Sequence, residues 1–124
     1  MLFRADSKPS DGQLQQAIDD TALIVANLDA VIAGQPGAYD VNDFANGVQS
    51  ASQLRFIVSG FLNTLQHNPP KPLLAKLEQA LQTFLVDPNG LASFFKPTAI
   101  NGTRDLVSTQ LQNVRDDLDI IVNP

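Results

Sequence analysis

His67 is the only histidine of the chain, set in LQHNPPKPLL, residues 65–74, beside three of its eight prolines. General acid–base or nucleophilic work by an imidazole needs a nucleophile and an orienting acid, and neither GxSxG nor HExxH occurs. A single histidine also cannot supply a multi-His metal site. His67 is expected to close a helix, where a donor suits the terminal carbonyls. Pro69 and Pro72 have PxxP spacing, but the flanking positions that need a basic residue are Gln66 and Leu74. The stretch therefore reads as a hinge between helices.

The carboxylates are as limiting. Of thirteen acids only Glu78 is Glu, and no ExxH occurs, so a di-iron centre of the bundle type is excluded by inventory. The terminal RDDLDIIVNP carries Asp116, Asp117 and Asp119 but lacks the calcium loop DxDxDG and its closing Glu. These acids fall near a helix C-terminus, the unfavourable end of the dipole. A solvated face is the expected account, with Arg115 relieving repulsion across one turn. GQPG and DPNG lack the phosphate-loop pattern GxxxxGK[ST]. The chain has no Cys, which removes thiolate chemistry and disulfides. Asn101 begins an NGT glycosylation sequon. No catalytic residue, metal ligand or cofactor is expected.

Composition narrows the partners. The net charge is −5, and the eight basic residues are scattered rather than clustered, so nucleic acid and anionic lipid surfaces are not expected partners. No apolar run is long enough to cross a bilayer. MLFRADSKPSDG has no apolar core after its Arg and does not read as a signal peptide. The polar positions favour Gln, Asn, Ser and Asp over Glu and Lys. Such a surface carries few mobile charged side chains to immobilise in an interface.

Four amphipathic segments must position whatever these residues do. Apolar residues at spacings of three and four predict helices over about 11–33, 43–67, 72–86 and 103–122, with a short helical turn at 91–96. Ser10 or Asp11 is placed to cap the first and Gly34 to end it; Asp40 or Asn42 precedes the second; Pro72 suits the start of the third. No window alternates with period two. The expected architecture is an all-α, up-down antiparallel four-helix bundle in one domain, 1–124, with residues 1–9 extended or flexible.

Three features do not fit single-faced helices. Leu23 lies opposite the first apolar face, among Ala22, Ala26, Ala30 and Ala33. Phe56 lies off the second, flanked by Ser52, Ser59 and Gly60. Either these helices touch neighbours on two sides, or Leu23, Ala26, Ala30, Phe56 and Gly60 form a partner interface. Arg55 interrupts the second apolar face between Ala51 and Val58. It is expected at the edge with its head in water, paired with Asp20 or Asp29, or clamping an anion.

The expected function is that of a non-enzymatic structural or assembly protein: a helical-bundle subunit or adaptor in a larger complex, of viral or cell-surface type, with a protein partner or self-association. The alternative is a module holding an apolar molecule such as a fatty acid, lined by Phe44, Phe61, Phe84, Phe94 and Phe95.

Overall fold

The computed structural model describes residues 2–99 and 101–124, with side chains from Gly12 onward. Four helices carry the chain: α1 (Leu2–Ile32), α2 (Val48–Gln66), α3 (Lys71–Val86) and α4 (Thr103–Val122). Short 3-10 turns at Val41–Asp43 and Leu91–Phe94 interrupt the two longer connections.

The helices run up and down, and the core shows this directly. At one end Leu14 and Ala17 of α1 meet Leu65 of α2, Leu74 of α3, and Leu118 and Ile121 of α4. At the other, Leu28 and Val31 meet Ala51, Leu54, Leu81 and Val107. The middle of α1 and the start of α3 thus pack with the ends of α2 and α4. The regular inward positions of α4 are all buried: Val107, Leu111, Val114, Leu118 and Ile121. Thr21 enters the α1 face without an orphaned hydroxyl, because its Oγ1 donates to the Ala17 carbonyl at 2.7 Å.

In space the order is α2, α1, α4, α3. The α2 and α3 backbones stay apart along their length, so one side of the bundle is left open.

Helix ends follow local chemistry. α1 stops in a Schellman motif: Gly34 takes φ +75°, its N–H bonds to the Val31 carbonyl at 3.2 Å, and Gln35 N–H to the Ala30 carbonyl at 2.9 Å. α2 ends at Gln66, and Asn68 at φ +55° turns the chain before Pro69. α3 begins at Lys71 with Pro72 in its first turn, where a missing N–H costs nothing.

Two boundaries differ from the sequence expectation. The first helix begins at Leu2 rather than near residue 11, so residues 2–9 are helical and not extended. Once a helix is nucleated each further residue adds a bond. Met1 and the expected capping side chains of Ser10 and Asp11 lie outside the described residues. The second helix begins at Val48 rather than 43. Asp40 caps the 3-10 turn instead, accepting from Asn42 N–H at 2.9 Å. Phe44 then leaves the turn extended and bridges Phe95, with Ala45 N–H bonded to the Phe94 carbonyl and Lys96 N–H to the Asp43 carbonyl, each at 2.9 Å. The Phe44 and Phe95 rings stack 4.7 Å apart and close this end of the core. Thr103 ties the plug to α4: its Oγ1 accepts from Asp40 N–H at 2.7 Å, and its N–H donates to Asp43 Oδ2 at 3.2 Å.

Candidate functional surface on α2 and the α2–α3 cleft

α2 is 19 residues long and carries one charge, Arg55. Its inward positions Ala51, Leu54, Val58 and Leu65 bury the core face. Arg55 leans the other way onto α1, where its Nε bonds to Asp29 Oδ1 at 2.6 Å with both side chains in contact with water. The remaining outward surface of α2 is uncharged. Phe56 stands on it, 80% exposed, with Ile57 and Val48 also open to solvent.

Helical side chains lean toward the N-terminus of their helix. Phe56 therefore covers the turn before it, over a shallow hollow lined by Gln49, Ser52, Gln53, Ile57 and Phe94. The turn after it is left bare at Gly60, where an added Cβ would meet nothing within 4 Å.

Beyond Gly60 the surface descends into the gap between α2 and α3. This cleft has a volume of about 390 Å³ and is lined mainly by Ile57, Phe61, Leu77, Ala80, Leu81 and Phe84, with Leu111 of α4 at its floor. Thr64 is its one hydroxyl. The Phe94 ring, 6.2 Å from that of Phe84, links it to the shallow hollow.

The residues singled out in the sequence separate accordingly. Phe61 and Phe84 line the cleft, Phe94 its margin, and Phe56 and Gly60 share one face beside it. Phe44 and Phe95 do not line a cavity; both are core, at 0% and 5% exposure, because the bridge between their loops draws them inward. Leu23, Ala26 and Ala30 lie on α1: Leu23 is half-exposed, Ala26 is open, and the Gly37 loop folds close to Ala30. His67 is exposed, and its Nδ1–H donates to the Asn63 carbonyl at 2.7 Å. Asn101 is exposed with φ +63°, its N–H held by Asp105 Oδ2 at 2.8 Å.

The acids at the end of α4 are not a merely solvated face. Asp117 faces Asp20 of α1, and Asp119 faces Glu78 of α3, so that acids of different helices act on one another. Burial pushes the Asp117 carboxyl up to about 7, and Asp20 and Asp116 add to the rise. Its Oδ2 is cut off from solvent with no donor in reach. Burial likewise raises Glu78, with Asp119 adding to it and Arg115 opposing. Asp119 is held below the usual range, first by the Asn123 amide and then by Glu78. Arg115 bridges Glu78 Oε2 at 3.2 Å and Asp116 Oδ1 at 2.6 Å.

No family model, curated protein or solved structure matches the chain. Among the described residues no group of three or more metal-ligating side chains is gathered, and no helix is long and apolar enough to cross a membrane.

Ile57, Leu77, Ala80 and Leu81 were not among the expected site residues. Their signal is present in the sequence. Leu73, Leu77, Ala80 and Phe84 repeat at spacings of four and three on α3, a second apolar face beside Leu74, Leu81 and Leu85. A helix buried on one side needs only one of them.

Proposed function

We propose that this chain is a non-enzymatic assembly protein, a helical-bundle subunit or adaptor that binds another protein through the outer face of α2 beside the α2–α3 cleft. The observation that carries the reading is Phe56, 80% exposed on a helix whose single charge, Arg55, is paired with Asp29 of α1. Interface centres are depleted of charge and enriched in aromatic anchors. Exposed apolar residues scattered singly need no explanation, but here Phe56, Ile57 and Phe94 adjoin an apolar cleft and form a contiguous patch. The test is hydroxyl-radical footprinting of Phe56 in the protein isolated gently from its source and in the purified chain. Protection of Phe56 in the native material supports the reading. A native particle of 13.4 kDa with Phe56 fully labelled sinks it.

The cleft favours a second reading, a carrier for an apolar molecule. About 390 Å³ falls within the range of small-ligand pockets, and the lining is nearly all hydrocarbon. Native mass spectrometry after mild extraction tests it: a copurifying apolar ligand that Phe61→Asp and Phe84→Asp both expel supports a carrier.

A further inference from the structure

The geometry points to a second copy of this chain as the occupant of the α2 face, paired antiparallel about a two-fold axis that crosses the outer face midway between Phe56 and Gly60, with Phe56 of each copy seated over Gly60 of the other. The inference rests on the assembly reading and names its partner.

A two-fold interface must be self-complementary, because the same patch meets itself. The α2 face carries both halves of such a contact. Phe56 is the projection, and the bare turn at Gly60 is the recess, with open space where a side chain would stand. They are four residues apart and so lie on one helix face. In an antiparallel pair centred midway between Phe56 and Gly60, residue 56 of one copy falls opposite residue 60 of the other, and 52 opposite 64. Ser52 and Thr64 are small enough for two helices to approach closely, and Gly60 opens into the apolar cleft that receives the ring.

Charge singles out a second copy. The chain is at −5 overall, so most surfaces of two copies repel. The α2 face is the exception, since its single charge is directed to Asp29 on α1. A partner with charges on its docking face would leave them without counter-charges along this strip, a penalty that discriminates against it. A second α2 brings Gln, Ser, Asn and Thr instead.

The test is sedimentation of the purified full chain over a concentration series, with Gly60→Leu and Phe56→Ser as variants. A Cβ at Gly60 meets nothing within 4 Å, so Gly60→Leu keeps the fold, checked by far-UV circular dichroism. The expected result is a reversible dimer of the wild type whose dissociation constant rises at least about tenfold in each variant. The chain has no cysteine, so register is read directly: Ser52→Cys/Thr64→Cys is expected to form a covalent dimer on mild oxidation, and Leu23→Cys is not. A wild type that stays monomeric up to about 1 mM overturns the inference, as does a dimer that survives both variants, and as does a monomer carrying a ligand in the cleft. A monomeric purified chain whose Phe56 is nonetheless protected in native material overturns self-pairing while leaving the assembly reading intact.

Discussion

Asp117→Asn is expected to stabilise the protein at neutral and alkaline pH, and to lose that advantage in acid. In the fold this carboxyl is raised from 3.8 to about 7, first by burial and then by Asp20 and Asp116. A folded state that holds its proton more tightly than the unfolded chain gains stability as pH falls. The contribution is fully present below about 4, and is lost as pH rises toward 7. The rise of about three pH units, at ~1.36 kcal/mol each, sets a ceiling near 4 kcal/mol. The residue is only half-buried although its Oδ2 is covered, and solvent screening removes the larger part, leaving about 1 kcal/mol. Asparagine keeps the shape, removes the charge and offers an amide donor to Asp20.

The assay is urea unfolding followed by circular dichroism at pH 4.5, 6, 7 and 8, wild type against variant. Glu78 is shifted up and Asp119 down, but both are common to the two proteins and cancel in the difference. The variant is expected to gain ~1 kcal/mol at pH 8, a shift of about 4 °C in Tm, and nothing at pH 4.5. An advantage that is constant with pH, or that grows in acid, refutes the account of Asp117 as a carboxyl raised by burial beside Asp20.

Other changes test separate parts of the fold. Tyr39, the only tyrosine, is raised to about 12 by burial, against a smaller lowering from Asn27; its phenolate absorbance is expected to emerge near pH 12 or together with unfolding, and a transition near 10 in the folded protein contradicts this. Phe44→Ala removes a fully buried ring stacked on Phe95 and is expected to cost ~3–5 kcal/mol in chemical unfolding. Gly90→Ala places a Cβ 2.4 Å from the Phe84 carbonyl oxygen, a backbone atom with little room to move, and should cost ~1–3 kcal/mol by the same measurement. Gly60→Ala, in open space mid-helix, is expected to raise stability by ~0.5–1 kcal/mol.

Periodicity reveals which residues of a helix are buried, but not how many helices bury them. The α4 spacing of Val107, Leu111, Val114, Leu118 and Ile121 leads straight to the core because one face does all the packing. Phe44 shows the limit. It fits the α2 repeat at four residues before Val48, so pattern alone extends the helix over it. The bond from Ala45 N–H to Phe94 decides otherwise, and a pairing between residues some fifty positions apart leaves no local trace. The carboxyl pairs fail to show for the same reason. Asp117 and Asp119 look like one exposed acidic run, yet they point to α1 and α3 respectively, and only the packed bundle brings Asp20 and Glu78 to meet them.

The cleft makes the complementary point. Leu73, Leu77, Ala80 and Phe84 form an apolar face as regular as the one that packs on α4, and Ile57 and Phe61 answer it from α2. In a closed four-helix ring these faces would meet. Here the hinge at Asn68–Pro70 joins α2 and α3 at one end only, while the Phe94 turn stands at the margin of the gap. Apolar surface left open in this way costs free energy in proportion to its area, and the cost is recovered when a second surface covers it. The Phe56–Gly60 face lies at the mouth of the same cleft. A single partner seated there removes both the exposed ring and the open cleft from water. That is the physical reason to seek the function on this side of the bundle rather than among its scattered acids and lone histidine.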